Sequence, residues 1–302
     1  MPNRATGRAL GGGQAGGGGQ AGWGGQAGWE GQAGWGDGGL RRFRAVAIDI
    51  DGTLAGADHK VSAFAAEVIR RLAATGRPVV ISTGRSAFNA RRLARQMSVD
   101  TPFISCNGAV VAKAVDGDQA DAAGGLRPLW TTELDPALLA HYLTLADRAD
   151  LEAMVWTADR LITTAGSELV AELMELAGEY PISFAPRPQW PAKGVIKLLM
   201  AAPPAVLDGL DLADYPLIQR SLTHFIEVTA ATARKDSALA RLLGRLGVDP
   251  AQAIAFGDAE TDLDSLRLAG LGVAPANAVD AVRAAADLVI GHHREDAVAR
   301  FL

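Results

Sequence analysis

The sequence predicts an α/β fold, a doubly wound parallel sheet interrupted by an inserted α+β module. Three observations carry that expectation. Short apolar runs of strand-forming residues end repeatedly in polar, glycine-containing turns and are followed by helical stripes. That texture gives way in mid-chain to hairpin-like strands with a few helices, and it returns near Ala233. The chain has 302 residues, 49% apolar and 21% charged, enough for one large or two medium domains with a proper core.

Residues 1–40 are a different material. Gly-Gln-Ala-Gly-Trp recurs there, with Trp23, Trp29 and Trp35 at a regular short spacing. Such a segment buries too little apolar surface to offset its ordering entropy, so a disordered tail is expected. From Arg41 the elements begin. Ala45 to Ile48 reads as a strand buried on both faces, ending in Asp49-Ile-Asp51-Gly-Thr-Leu54. Alternation along an extended chain sends Asp49 and Asp51 to one side. That stretch alone fits a strand-end turn as well as it fits a cation site. Ser62 to Thr75 is a helix with Phe64, Val68, Ile69 and Leu72 on its stripe and Gly76 as its stop. Arg77 to Ile81 is a second strand ending in Ser82-Thr83-Gly84-Arg85, and Ser86 caps a helix to about Met97. Pro102 to Ser105 is a third strand, ending in Cys106-Asn107-Gly108. In an open parallel sheet such carboxyl ends share one edge, where ligands bind.

After about Val111 a loop runs from Asp116 to Gly125, followed by a strand at Leu129 to Thr132 and a helix from Pro136 to Arg148. Leu151 to Trp156 and Arg160 to Thr164 form a hairpin, with a helix at Ser167 to Ala177 and strands at Val195 to Ala201 and Phe225 to Thr229. Pro181 to Pro191 and Pro203-Pro204 mark loops. Beyond Ala233, Lys235 opens a helix to Leu246. Gln252 to Phe256 is an apolar strand leading into Gly257-Asp258-Ala-Glu-Thr261-Asp262. Helices to Leu268, at Ala278 to Ala286 and at Glu295 to Leu302 alternate with strands at Leu271 to Ala274 and Leu288 to Ile290. The expected organisation is a tail (1–40), a core (41–112 plus 231–302) and an insert (113–230).

Net charge is −5 and spread along the chain, which gives no sign of a nucleic-acid or anionic-membrane partner. A lone cysteine, Cys106, fits a reducing compartment. The start lacks the apolar core of a signal peptide, and no apolar run approaches membrane-spanning length. A cytoplasmic protein is expected; nothing in the pattern specifies an oligomeric state.

Taken together, Asp49-Ile-Asp51-Gly-Thr-Leu54, Thr83-Gly-Arg85, Asn107-Gly-Ala109, Lys235 and Gly257-Asp258-x-x-x-Asp262 resemble the ordered motifs of the haloacid dehalogenase (HAD) superfamily. Within it they resemble the Cof-like, type IIB phosphatases, from about Phe43 to the C-terminus. The resemblance implies a Rossmann-like core with a C2-type cap inserted between the Thr and Lys motifs. It implies a Mg²⁺-dependent phosphatase of small phosphorylated metabolites that forms an aspartyl-phosphate on Asp49. Asp51 would protonate the leaving alkoxide and then deprotonate the attacking water, which requires its pKa to rise. Asp49, Asp258 and the Asp51 backbone carbonyl would hold the metal, with Asp262 behind them binding metal waters or holding Lys235. Gly52, Thr83, Gly84 and Lys235 would bind the phosphoryl group, while Arg85, Asn107 and Thr261 would face the substrate.

These roles suit the chemistry. A phosphate monoester is dianionic, so attack by a carboxylate needs charge neutralisation and in-line positioning, and Mg²⁺ prefers oxygen ligands. Thr261 stands where relatives commonly carry Asn, and Ala297 where they often carry Gly. Asp51 favours phosphoryl transfer over dehalogenation, since the superfamily's dehalogenases lack that second aspartate. A phosphomutase-type transferase and a low-turnover phosphate-binding or regulatory protein are the competing readings. Arg127, Arg160, Arg187, Lys193, Lys197 and Arg220 are the charged candidates of the insert.

Overall fold

The computed structural model describes residues 42–115, 125–177 and 181–302. The expected tail, and residues 116–124 of the expected loop, lie outside the described residues. Strand β1 (Ala45–Ile48) is wholly buried and has parallel neighbours on both sides, β2 (Val79–Ile81) and β12 (Ala253–Phe256). Beyond β12 follow β13 (Leu271–Pro275) and β14 (Leu288–Ile290), also parallel. The order β14-β13-β12-β1-β2 places a topological switch between β1 and β12.

Both faces of this sheet are covered, which is why β1 reads as a continuous apolar run. Val46 and Ile48 pack in one cluster with Ile69 of α1 (Ala63–Ala74) and Val298 of the last helix (Ala297–Phe301). Ala45 and Ala47 pack in another with Leu239 and Leu242 of α6 (Lys235–Arg245). The small residues of β1 thus meet the Leu-rich helix. Helix starts follow their sequence signals. Ser62 accepts from the Ala65 N–H to cap α1, and Ser86 accepts from the Asn89 N–H to cap α2 (Ala87–Gln96).

The third strand, β3 (Phe103–Ser105), departs from the sequence expectation. It meets the parallel sheet through a single bridge, Ser82 to Ile104, and then turns back. It forms an antiparallel sheet with β4 (Val110–Ala114) and β5 (Leu126–Thr131). The reversal is made by Cys106, Asn107 and Gly108, at φ 50°, 53° and 100°. The turn itself was legible in Asn107-Gly108, but the strand was expected to end there at the edge of the parallel sheet, and β4 was not anticipated.

The middle of the chain builds a six-stranded sheet, ordered β10-β11-β9-β6-β7-β8. The expected hairpin is β6 (Glu152–Trp156) with β7 (Leu161–Thr163), and β9 (Lys197–Ala201) pairs β6 and β11 (Phe225–Thr229). Val155, Leu198 and Ile226 form one apolar layer with Leu139 and Tyr142 of α3 (Pro136–Arg148), while Val170 and Leu173 of α4 (Glu168–Ala177) cluster with Met154 and Leu199 from the other face. Two strands were missed, β8 (Ile182–Phe184) and β10 (Ile218–Leu222). Both lie at the sheet's edges. Short edge strands pair on one side only and need no continuous apolar pattern, and β8 sits in a stretch bounded by prolines. A short helix, α5 (Pro204–Asp208), was also unforeseen. Among the described residues no helix is long and apolar enough to cross a membrane.

The 106–108 turn is strapped to the neighbouring strand end, with the Cys106 N–H donating to the Arg85 carbonyl (2.9 Å) and the Asn107 N–H to the Thr83 carbonyl (3.2 Å). A Cβ on Gly108 would stand 2.3 Å from the Arg234 carbonyl oxygen, in a left-handed backbone that already disfavours one. Gly108→Ala should therefore lower stability by about 2 kcal/mol or more. Urea unfolding of the two proteins measures this, and an unchanged midpoint would mean that the turn yields freely.

Candidate active site

Parallel register does most of the assembly. Ile48 pairs with Phe256 on one side and Ile81 on the other, so Asp49, Gly257-Asp258 and Ser82-Thr83 emerge side by side at one sheet edge. Lys235, the first residue of α6, projects into the same place. Its Nζ donates to Asp49 Oδ1 at 2.7 Å and to Asp262 Oδ1 at 2.8 Å. All three side chains are almost fully buried. Asp262 also accepts from the Ala259 N–H (3.2 Å), and Asp258 accepts from the Thr53 hydroxyl (2.8 Å). Oxygens of Asp49, Asp258 and Asp262 lie within 4.8 Å of one another.

Three carboxylates around one ammonium leave an excess of buried negative charge. Burial raises the Asp49 pKa well above the ordinary carboxylate value, and Asp262 adds to this against the opposing pull of Lys235. Asp258 is raised by burial too, against the Thr53 hydrogen bond. For Lys235 burial alone would favour the neutral amine, but the attraction of Asp49 and Asp262 outweighs it and holds the ammonium charged. The donor set is all hard oxygen and short of positive charge, which fits a divalent cation such as Mg²⁺. Gly52 keeps the space beside it open. Its φ is +77°, and a Cβ there would fall 2.2 Å from Asp258 Oδ2.

Asp51 corrects an expectation. Its carboxylate is gripped by Arg85, Nε to Oδ2 at 2.7 Å and Nη2 to Oδ1 at 2.5 Å, with His59 Nδ1 3.0 Å from Oδ1. Burial pushes the pKa up, but the Arg85 and His59 contacts outweigh it and the group lies below the ordinary value. Sequence reasoning weighed the neighbouring carboxylate and not the arginine, because Arg85 arrives from another strand end.

The remaining candidates fall into two sets. Thr83 is buried, and its hydroxyl oxygen accepts from the Arg85 N–H (3.1 Å). A hydroxyl that accepts there retains its own O–H to donate. Gly84 and the half-buried Asn107 face one another, since a Cβ on Gly84 would lie 2.9 Å from Asn107 Oδ1. Thr261, by contrast, is exposed on the turn Glu260–Asp262. In the insert, Arg160, Arg187 and Arg220 are ion-paired to Asp159, Asp147 and Asp208. Lys197 is buried against Glu227 on the adjacent strand (2.7 Å), and Arg127 and Lys193 are exposed.

Three supports were not anticipated: Thr53, His59 and Asn277. Asn277 Nδ2 donates to the Gly52 carbonyl (2.7 Å), while its Oδ1 accepts from the His293 N–H (3.0 Å). Asn277 follows the end of β13, so the strand-end rule that found Asp258 could have pointed to it.

A family model described as haloacid dehalogenase-like hydrolase matches residues 46–302. The 5-amino-6-(5-phospho-D-ribitylamino)uracil phosphatase YitU of Bacillus subtilis is 30% identical over 269 residues, covering 85% of this chain and 95% of that protein. The phosphoglycolate phosphatase of Methanopyrus kandleri is 29% identical over 259 residues, covering 85% and 94%. A haloacid dehalogenase-like hydrolase from Bacteroides thetaiotaomicron shares the fold, with a TM-score of 0.73 at 22% identity over 85% of this chain and 97% of that one. The ordered aspartates, the threonine and the lysine converge on one sheet edge within a chain matched almost throughout its described length, and the chain belongs to the haloacid dehalogenase-like hydrolases.

Proposed function

We propose that the protein is a Mg²⁺-dependent phosphatase of small phosphorylated metabolites, acting through an aspartyl-phosphate on Asp49. The observation that carries this reading is the buried Lys235 ammonium between Asp49 and Asp262, with Asp258 beside them. Such a cluster suits attack on a dianion, because it fixes the nucleophile and tolerates added positive charge. Asp49, Asp258 and the Asp51 carbonyl would hold Mg²⁺, which supplies the charge neutralisation that lets an anionic carboxylate approach a phosphate dianion.

The chain's own residues do the rest. Lys235 orients the Asp49 carboxylate and offers a cation to the phosphoryl oxygens. Thr83 Oγ1 and the Gly84 N–H donate to those oxygens. Asp262 holds Lys235 in place. Asp51 starts ionised against Arg85, the form suited to deprotonating the attacking water. Protonating the leaving alkoxide needs Asp51 to hold a proton first: as phosphoryl oxygens compete for the Arg85 guanidinium, the contact loosens, the pKa rises, and Asp51 takes up a solvent proton that it then gives to the alkoxide. The insert, 113–230, acts as a cap that closes over small esters and excludes water. The two curated relatives, named for phosphatases of a phosphorylated ribityl-uracil and of phosphoglycolate, support a small-ester substrate.

A panel of such esters with Mg²⁺ should release phosphate, and Asp49→Asn should lower the rate at least about 10³-fold. If no ester is turned over faster by the wild type than by the variant, the reading fails. Lys235→Met leaves Asp49 and Asp262 facing one another and should cost about 3–5 kcal/mol in urea unfolding with chelator present. Adding Asp262→Asn to it should recover much of that loss; no recovery would show that the cost is packing.

The raised Asp49 pKa also makes a pH prediction. A carboxyl whose folded value is raised contributes stability that is complete below its unfolded value and is lost as pH rises through the folded one. In chelator, Asp49→Asn should thus be more thermostable than wild type at neutral pH, with the gap closing as the solution is acidified. Melting curves across pH give the answer, and a gap that widens in acid would contradict it.

A further inference from the structure

At the sheet edge opposite the active site lies an apolar cavity of about 380 Å³. Its walls include Phe43, Val46, Ile254 and Leu302, with Val68 and Leu72 of α1, and Arg71 and Arg77 also border it. A neighbouring cavity of about 320 Å³ shares Phe43, Thr75 and Arg77, so the two form one groove. The apolar face of α1 continues outward from it. Phe64, Val68 and Leu72 stand at i, i+4 and i+8, and Phe64 is 48% exposed.

We propose that this groove is the docking site for the chain's own N-terminal segment, residues 29–37, with Trp35 as the anchor. Phe43 is at once a wall of the cavity and the place where the preceding chain departs. Trp35 stands eight positions before it, and four of the seven residues between are Gly36, Asp37, Gly38 and Gly39. For a Gly-rich sequence of that length the root-mean-square span is about 14–17 Å, enough to reach a site beside its own base. Such a tether holds the tryptophan there at an effective concentration in the millimolar range (~10⁻³ M), without the entropy cost of a separate partner. In a segment otherwise built of Gly, Gln, Ala and two acidic residues, the indoles supply the large apolar surface such a cavity takes up. Charge agrees with this. Asp37 lies two residues after Trp35 and Glu30 one after Trp29, and Arg77 stands at the cavity beside Arg71, which is ion-paired to Glu67. Trp23 is followed by two glycines.

The test is ¹⁹F NMR of the full chain labelled with 5-fluorotryptophan, its six resonances assigned by single Trp→Phe changes. The Trp35 resonance should be displaced from its position in a free peptide of residues 20–40, and Trp23 should not. Val68→Lys, at a half-buried position, should return Trp35 to the peptide position. Independently of how well that variant folds, Trp35→Ala leaves the described core untouched and should lower the melting temperature by roughly 2–4 °C. Peptide-like positions for all three tail resonances, or an unchanged melting temperature in Trp35→Ala, would overturn the proposal. So would a Trp35 displacement that vanishes on dilution together with a falling sedimentation coefficient, because the occupant would then be a second copy.

Discussion

A single buried ammonium among three carboxylates, Asp49 and Asp262 buried and Asp258 half-buried, sets the terms for the rest of the molecule. Lys235 alone cannot neutralise Asp49, Asp258 and Asp262, and the strain is written in the raised pKa values of Asp49 and Asp258. Without Lys235 the cluster would be too repulsive to bury; with a divalent cation added it would be close to neutral. The arrangement is therefore stable enough to fold and still short of positive charge, so it can take up a divalent cation.

The backbone brings those charges together without long-range coordination by side chains. Parallel pairing in register puts the ends of β12, β1 and β2 next to one another, and each strand then delivers one functional group in the residue or two that follow. The fourth strand end needs a device of its own. The left-handed turn at Cys106–Gly108 presses against the Arg234 backbone and is tied to Thr83 and Arg85. One strained turn thus links the threonine, the arginine and the start of the lysine helix.

Asp51 shows how far local reasoning reaches. Its place beside Asp49 was readable from alternation along a strand. Its electrostatics were not, because Arg85 lies 34 residues away in sequence and His59 sits on a loop with no periodic signal. The charged residues of the insert teach the same lesson. Six looked equivalent in sequence, yet three carry surface ion pairs, Lys197 is buried against Glu227 on an adjacent strand, and Arg127 and Lys193 remain exposed.

By itself the sequence determined the α/β class, most strands and helices of the core, and the motifs whose aspartates, threonine and lysine meet at one sheet edge. Those features are local: apolar runs, helical stripes, Ser caps, and short motifs at strand ends where parallel topology leaves little choice of location. Only the tertiary structure decided that β3 turns back into an antiparallel sheet, that β8 and β10 complete the second sheet, and that Thr53 and Asn277 brace Asp258 and Gly52. It also decided the direction of the Asp51 pKa. Edge strands, left-handed turns built from ordinary residues and cross-sheet ion pairs depend on partners distant in sequence, and a partner's identity and distance exist only once the chain has folded.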